Sequence, residues 1–320
     1  MTLAIEARGL RRTFGRVVAV DGIDLAVPRG SVYGFLGPNG AGKTTTIRLL
    51  LGLLRAQAGE IRLLGAPLSR DRGLFARIGA LVERPAFYPG LSARDNLRVF
   101  AAVGGRRGPA AEARIAAVLD LVGLGAVAGR SVRGFSTGMR QRLGIGLALL
   151  SGPELLVLDE PTAGLDPVGV VEVRQLVGQL ATEGVTIFLS SHDLSEVEQV
   201  CDRLAVIHRG RILAEGPAAV LVRDSGRAVV RFAEAAECTR ARAVLEAAGW
   251  DVASDTDSTT LVVGPGSAAS GTDASEADPR RVARDLARAE LYPVELRLER
   301  PSLEQVFLDL VADGERGRGA

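Results

Sequence analysis

The sequence predicts an α/β layered domain over residues 1–220 and a small α+β domain over residues 221–312. In the first domain, short β-rich runs alternate with helical stretches, as they do in α/β proteins. A glycine-rich phosphate loop follows a predicted strand, Val32–Leu36, and opens a predicted helix, Thr44–Leu51. A continuous apolar run, Leu155–Leu158, is typical of a central parallel strand that is buried on both faces.

The other elements of the first domain follow in order along the chain. Residues 92–150 are mostly helical in pattern and form a candidate helical subdomain. Thr186–Ser190 is a further predicted strand. Arg203–His208 and Arg211–Glu215 are predicted to form a β-hairpin around a tight glycine turn. A helical insertion is thus expected within an otherwise layered domain.

Beyond residue 217 the pattern changes to that of a small domain. Strands and helices are predicted in the order strand, helix, strand, strand, helix, strand, helix, which is typical of a split βαβ sandwich. The elements are Ala228–Phe232, Thr239–Ala248, Asp251–Ser254, Thr260–Val263, Arg280–Ala289, Val294–Glu299 and Leu303–Val311. Residues 264–278 are rich in Gly, Ser, Ala and acids and predict a flexible loop. Residues 313–320 are predicted to be a disordered tail.

Composition and charge argue against several classes of protein. Lys and Arg number 39 against 38 Asp and Glu, a net charge of +1, so no polyanion-binding surface and no nucleic-acid partner are expected. Cys201 and Cys238 lie far apart without CxxC spacing, which favours thiols of a reducing compartment. We find no signal peptide and no apolar run of the 18 or so residues that span a bilayer. We therefore expect a cytoplasmic protein.

The phosphate loop contains the only lysine of the chain. It matches the GxxxxGK[ST] pattern and consists of Gly37, Pro38, Asn39, Gly40, Ala41, Gly42, Lys43 and Thr44. A bias towards arginine explains the other basic residues but not the place of this exception. The slender ammonium of Lys43 can reach between the β- and γ-phosphates, where a guanidinium would crowd the loop. The loop and the following Thr45 are therefore predicted to bind a nucleoside triphosphate.

Two adjacent carboxylates, Asp159 and Glu160, follow the apolar strand. An aspartate at the carboxyl end of such a strand can hold the Mg²⁺ that Thr44 also binds. The second carboxylate is placed to orient and deprotonate the attacking water. The alternative, a solvated pair of acids at a strand end, is less favoured because a phosphate loop lies upstream.

A short polar segment, Ser136-Thr137-Gly138, precedes another predicted helix. Its backbone N–H groups and the positive end of the helix dipole offer an anion site. Such a segment is usually only a helix cap. Its place before the Asp-Glu strand, however, resembles that of the LSGGQ signature in the ATP-binding subunits of ABC transporters, from which Thr137 and Met139 depart.

The resemblance covers about residues 3–220 and implies a P-loop NTPase cassette that uses ATP and Mg²⁺. Asp166 ends a segment similar to the D-loop, and Phe14 matches the aromatic residue that stacks on adenine. His192 resembles the switch histidine that contacts the γ-phosphate, although a lone histidine at a strand end is more often structural. The resemblance also implies a head-to-tail homodimer, in which each ATP lies between the phosphate loop of one subunit and Ser136 and Gly138 of the other.

Glu83 departs from the family's pattern, in which a glutamine links the nucleotide site to the membrane subunit. Together, this glutamate, the Ser-Thr-Gly-Met signature and the segment Pro301–Phe307 make the chain resemble the branch of the family that includes bacitracin-type and lantibiotic-immunity exporters. The resemblance implies that Glu83 lies beside the nucleotide and Mg²⁺, and that the loop Pro85–Leu91 touches the permease. The alternative is that Glu83 is a surface acid.

The branch implies an ATPase that powers export of a drug, antibiotic or peptide through a separate membrane permease. The chain would then be peripheral on the inner face of the membrane. A rival interpretation is a soluble ABC-type ATPase that acts on ribosomes or DNA. It is disfavoured because the chain has one cassette and no heptad array. An import ATPase is disfavoured by Glu83 and by the form of the C-terminal domain.

Overall fold

The computed structural model describes residues 2–68, 72–83, 86–193, 199–218, 220, 227–254, 257–264 and 278–299. It divides into two compact units, Met1–Glu215 and Gly216–Ala320. Three sequence predictions lie outside the described residues: most of the loop 264–278, the last helix 303–311 and the tail 313–320. Within the described ranges, no helix is long and apolar enough to cross a membrane.

The first ten strands form two sheets. They are β1 (Leu3–Phe14), β2 (Val17–Pro28), β3 (Val32–Leu36), β4 (Ala58–Leu63), β5 (Ala66–Pro67), β6 (Ile78–Leu81), β7 (Leu155–Asp159), β8 (Thr186–Ser191), β9 (Arg203–His208) and β10 (Arg211–Pro217). An antiparallel sheet has the order β2-β1-β4-β5, and a larger sheet has the order β10-β9-β3-β8-β7-β6. In the larger sheet β6, β7, β8, β3 and β9 run parallel.

The central strands β3, β7 and β8 are buried along their whole length, which explains their apolar runs. Tyr33 and Phe188 stack between neighbouring strands with ring centroids 5.7 Å apart. The register pairs Leu36 with Ser191 and Asp159 with Ser190. The carboxyl ends of these three strands therefore meet at one edge of the sheet, where the segments that follow them can form a shared site.

Six helices of the first unit are described. They are α1 (Lys43–Leu50), α2 (Arg72–Phe75), α3 (Ala93–Val103), α4 (Pro109–Leu121), α5 (Thr137–Leu149) and α6 (Pro167–Thr182), with 3₁₀ turns at Gly125–Val127 and Val132–Gly134. The predicted helix 44–51 begins and ends one residue earlier, because left-handed Gly42 caps it directly before Lys43. Helices α3, α4 and α5 fall within the range predicted to be helical.

The second unit contains β11 (Arg227–Arg231), α7 (Ala235–Ala247), β12 (Asp251–Ser254), β13 (Thr260–Gly264), α8 (Pro279–Arg288) and β14 (Glu295–Glu299). The four strands form an antiparallel sheet in the order β12-β13-β11-β14. Apolar residues of this sheet and of α7 and α8 share one core, which includes the thiol of Cys238. This arrangement is the predicted split βαβ sandwich.

Candidate functional site

The phosphate loop joins the end of β3 to the start of α1, and two of its positions admit only glycine. A Cβ on Gly37 would lie 2.3 Å from the carbonyl oxygen of Ile207. Gly42 has φ 110°, and a Cβ there would lie 2.4 Å from the carbonyl oxygen of Ala19. Because another backbone segment approaches so closely at both positions, only a residue without a side chain fits there. Asn39 and Gly40 at the loop tip are exposed, whereas Thr44 and Thr45 are half-buried in the first turn of α1.

The turn between β9 and β10 supports this loop from behind. The Gly210 amide donates to the carbonyl oxygen of Ala41 at 2.8 Å, and the Gly210 carbonyl accepts from the Asp21 amide at 2.9 Å. Arg211 donates to the Asp21 carboxylate at 2.6 Å. That hydrogen bond lowers the pKa of Asp21 below its usual value, because the guanidinium favours the ionised carboxylate.

Lys43 is buried beneath the loop, with 6% of its surface exposed. Its Nζ donates to the carbonyl oxygens of Gly37 at 2.6 Å and Pro38 at 3.3 Å. The same ammonium lies 3.0 Å from Oε1 of Glu160. A buried cation needs such partners, and those of Lys43 join the phosphate loop to the acidic strand end.

A serine that the sequence does not mark as a site residue, Ser190, holds both Asp159 and Glu160. Ser190, fully buried at the end of β8, donates from Oγ to Oδ1 of Asp159 at 2.6 Å. The same hydroxyl accepts from the backbone N–H of Glu160 at 3.0 Å. One serine therefore fixes the orientation of the first carboxylate and the backbone of the second.

Glu160 also contacts His192, which follows β8. Nδ1 of His192 lies 2.6 Å from Oε2 of Glu160. Glu160 has φ 49°, a left-handed conformation that is uncommon outside glycine and typical of functional sites. The structure thus brings Lys43, Glu160 and His192 into one chain of contacts at the carboxyl edge of the sheet.

Ser190→Ala should lower the turnover number by roughly tenfold or more, because the two carboxylates lose their common support and small displacements of catalytic groups are costly. Stability should fall by about 1–3 kcal/mol, the cost of leaving a buried polar group without a partner. Steady-state ATP hydrolysis and thermal unfolding measure the two effects. Thr186→Val is the matched control, since Thr186 lies at the opposite end of β8 and its buried hydroxyl accepts from Gly30. Equal loss of activity in both variants would contradict a specific role for Ser190.

Glu83 lies two residues beyond β6, the neighbour of β7. Its Oε1 contacts the guanidinium of Arg48, which is in the last turn of α1. Glu83 has φ 64°, so a second glutamate near this edge adopts the left-handed conformation. Its predicted position beside Mg²⁺ stays a prediction, to which the structure adds a cationic partner on the phosphate-loop helix.

The remaining predicted residues lie on exposed segments. The ring of Phe14, 47% exposed at the end of β1, has the Arg12 guanidinium 4.9 Å from its centroid. Ser136 caps α5 by accepting from the Met139 amide, and Asp166 caps α6 by accepting from the Gly169 amide. The usual capping role of such residues is therefore present, and exposed Ser136 also remains accessible to a second molecule.

The oxygen donors of Thr44 and Asp159 suit a hard cation such as Mg²⁺, which usually binds one or two protein groups together with phosphate oxygens. Among the described residues, no cluster of three or more His, Cys, Asp and Glu could hold a metal alone. A phosphate cradle, a buried ammonium and a strand-end carboxylate pair together define a P-loop nucleoside triphosphatase.

Comparison with known proteins makes this class more specific. The family model described as ABC transporter matches residues 20–163. The chain is 47% identical to the bacitracin transport ATP-binding protein BcrA of Bacillus licheniformis, over 68% of this chain and 71% of that protein. It is 40% identical to the daunorubicin resistance ATP-binding protein DrrA3 of Streptomyces coeruleorubidus, over 99% of this chain and 98% of that protein. A solved structure of cbiO1 from Clostridium perfringens, part of the ABC transporter complex cbiONQ, is 29% identical with a TM-score of 0.62, over 68% of this chain and 90% of that one.

The chain therefore belongs to the ABC transporter family, as an ATP-binding subunit and an ATPase. These matches confirm the resemblance that the order of motifs indicated. The similarity to DrrA3 extends over both units of the chain, so it includes the small α+β sandwich as well as the cassette.

Proposed function

We propose that this chain powers the export of a drug, antibiotic or peptide through a separate membrane permease. The observation that carries the proposal is the similarity over nearly the whole chain to a daunorubicin resistance ATP-binding protein. Relatives named for bacitracin and lantibiotic transport support the same class of cargo. The subunit would be peripheral on the inner face of the membrane, where the permease holds it.

Lys43 and the amides of Gly37–Thr44 bind the β- and γ-phosphates of ATP in this proposal. Lys43 exchanges the Gly37 carbonyl and the Glu160 carboxylate that it now contacts for phosphate oxygens, which are acceptors of the same kind. Once freed from Lys43, Glu160 accepts a proton from the attacking water. His192, 2.6 Å from Glu160, orients that carboxylate and contacts the γ-phosphate.

Thr44, Asp159 and Glu83 are the proposed ligands of Mg²⁺. The donors are all oxygens, and Asp159 is buried and held by Ser190, as an oriented ligand should be. When bound, Mg²⁺ neutralises charge that develops on the phosphate oxygens. Phe14 stacks on the adenine, and catalysis consists of positioning and electrostatic stabilisation.

Two copies of the chain enclose two ATP molecules in the proposed assembly. The exposed segment Ser136–Gly138 at the positive end of α5 would meet the γ-phosphate held by the other copy, and Asp166 would lie at the same junction. Because each ATP contacts both subunits, it favours the closed dimer by its differential affinity.

Glu83 is proposed to act in coupling to the permease. Exposed aromatic and apolar residues follow it in the chain, among them Tyr88, 54% exposed, and Leu91, 37% exposed. Such residues are suited to a protein interface. The contact between Glu83 and Arg48 ties the start of this segment to the helix that leaves the phosphate loop. Occupancy of the nucleotide site then changes the position of the segment that contains Tyr88 and Leu91.

Glu83→Ala should therefore reduce transport by roughly tenfold, which corresponds to a typical coupling free energy. It should reduce ATP hydrolysis by the isolated subunit only a few-fold. Glu83→Gln should cause a smaller loss of transport, because it retains the length of the side chain and a carbonyl oxygen. Drug accumulation in cells and ATPase assays on purified protein measure the two quantities. Normal transport by Glu83→Ala would favour the surface-acid interpretation, and abolished hydrolysis would place Glu83 in the chemistry.

The proposed function is tested by expressing the chain with and without the membrane protein of the adjacent reading frame, in a host sensitive to daunorubicin, bacitracin and a lantibiotic. Resistance to at least one compound should require both proteins and should be lost with Glu160→Gln. The contrary result is an ATPase that confers no resistance and is stimulated by ribosomes or DNA, as the rival interpretation requires.

A further inference from the structure

Helix α5 carries the signature segment at one end and is anchored firmly at the other. A Cβ on Gly79 of β6 would lie 2.3 Å from the Ala148 carbonyl oxygen, so the carboxyl end of α5 touches the sheet. Arg114 donates to the Leu149 carbonyl oxygen at 2.6 Å, and Arg106 donates to the Ser151 carbonyl oxygen at 3.0 Å. These contacts leave the position of the amino end to other residues.

The amino end of α5 is far from this anchor. The helix has 13 residues and is therefore about 20 Å long. A tilt of about 5° at the anchored end would move the signature segment by about 2 Å. Displacements of that size are large for groups that must meet a phosphate held by another subunit. Contacts nearer to Ser136 are therefore needed to hold the amino end of α5 in place.

Arg142, in the second turn of α5, contacts two other helices. Its Nε lies 3.4 Å from Oε2 of Glu172 on α6, which makes an ion pair without a hydrogen bond. Its Nη1 donates to the Val122 carbonyl oxygen at 3.2 Å and approaches the Gly123 carbonyl oxygen at 3.5 Å, where α4 ends. Only 17% of the Arg142 side chain is exposed, against 42% of Glu172. Its guanidinium therefore joins α4, α5 and α6 in a half-buried setting.

The two helices that Arg142 and Glu172 connect both begin at proposed nucleotide-binding segments. Ser136 caps α5, and Asp166 caps α6. A Cβ on Gly138 would lie 3.8 Å from Cδ2 of Leu165, so the two segments are neighbours. A surface groove of about 220 Å³ beside α4, α5 and α6 is lined by both charged residues. The ion pair therefore links α5 to α6, in addition to the close packing of α5 on α4, where a Cβ on Gly146 would lie 3.2 Å from Val118.

We propose that Arg142 is a positioning residue, which together with Glu172 fixes the signature segment Ser136–Gly138 against the start of α6 and so sets the affinity of one subunit for the ATP held by the other. This inference rests on the proposed dimer with ATP between its subunits. The phosphate loop belongs to other elements of the same subunit. Binding of ATP to a single subunit is therefore independent of the Arg142–Glu172 pair.

Sedimentation velocity of the Glu160→Gln protein with Mg-ATP tests the proposal, because this variant is expected to bind ATP and to hydrolyse it roughly 10²–10⁴ times more slowly. Arg142→Gln in that background should raise the dissociation constant of the dimer about tenfold, and Glu172→Gln should raise it a few-fold. The double variant should resemble Arg142→Gln, since both changes remove one interaction. The affinity of the monomer for a fluorescent ATP analogue should change less than about twofold.

Arg98→Gln is the matched control, because Arg98 pairs with Glu112 at 2.6 Å between α3 and α4 and does not touch α6. Without the Glu160 substitution, the specific ATPase activity of Arg142→Gln should recover as protein concentration rises, which a general loss of folding would not produce. If Arg142→Gln and Glu172→Gln dimerise as tightly as Arg98→Gln, the inference is overturned while the proposed dimer stands. If Glu160→Gln itself stays monomeric with ATP, the proposed dimer and the inference fall together. If Arg142→Gln also loses ATP affinity, the dimer dissociation constant of the milder Glu172→Gln decides whether the inference holds.

Discussion

Glu160→Gln should bind Mg-ATP but hydrolyse it roughly 10²–10⁴-fold more slowly, since that factor is the usual contribution of a general base. The carboxylate lies 3.0 Å from the Lys43 ammonium and 2.6 Å from the His192 ring, so it is central to the contacts at the strand ends. The amide of glutamine has almost the same shape but cannot accept a proton from water. Nucleotide binding should persist because the phosphate loop is unchanged.

Glu154→Gln is a matched control for this substitution. Glu154 directly precedes β7, at the end of the strand away from the site, and pairs with Arg77 at 2.5 Å. The pair is half-exposed, so its loss should cost little stability and leave turnover near that of the unaltered protein. Single-turnover hydrolysis and equilibrium binding of ATP measure the comparison. Activity of Glu160→Gln equal to that of Glu154→Gln would refute the assignment of the base.

Lys43→Ala should reduce the affinity for ATP roughly 100-fold, because charge-assisted hydrogen bonds to two phosphates are lost. Lys43→Arg should also bind weakly. Lys43 is only 6% exposed, and its ammonium lies 2.6 Å from the Gly37 carbonyl oxygen, which leaves little room for a guanidinium. Fluorescence titration with an ATP analogue measures both variants.

Arg62→Ala provides the control, since Arg62 lies on β4 in the antiparallel sheet and donates to the Gly65 carbonyl oxygen at 2.7 Å. Its affinity for ATP should stay within a few-fold of that of the unaltered protein. Tight binding by Lys43→Arg would show that charge alone suffices and that the geometry of the ammonium is unimportant. The fact that Lys43 is the only lysine of the sequence would then say nothing about nucleotide binding.

Several parts of the fold were predictable because their signals are local. The strand before the phosphate loop is confirmed with identical bounds, Val32–Leu36, since a strand buried on both faces reads as an apolar run. In the small domain, the predicted strand Asp251–Ser254 is also confirmed with its bounds. The antiparallel sheet of β1, β2, β4 and β5 was not predicted. Its strands mix exposed and buried positions around register shifts, which weaken the alternating pattern.

The residues that support the site were not predictable in the same way. In the sequence, Ser190 is only a small residue near the end of an apolar strand, and nothing local relates it to Asp159, 31 positions earlier. The order β3-β8-β7 places the two strand ends side by side and creates the contact. Knowledge of that order would have found Ser190, because neighbouring parallel strands end at the same edge.

Arg142 and Arg48 illustrate the same limit. Both are arginines on helices in a chain rich in arginine, and a solvated helix face is the usual interpretation of such residues. Only the packing of α5 against α4 and α6 half-buries Arg142 beside Glu172. Only the position of β6 beside β7 brings Glu83 near the end of α1 and its Arg48.

The sequence by itself determined the phosphate loop and the strand-end acids, because each depends on contiguous residues whose chemistry is local. It determined the family through the order of such motifs along the chain. The tertiary structure alone decided which charges meet: Lys43 with Glu160, Glu160 with His192, and Asp159 with Ser190. These pairs are separated by 30 or more positions in the chain. Their contacts arise only when the buried parallel strands align and bring their carboxyl ends to one edge.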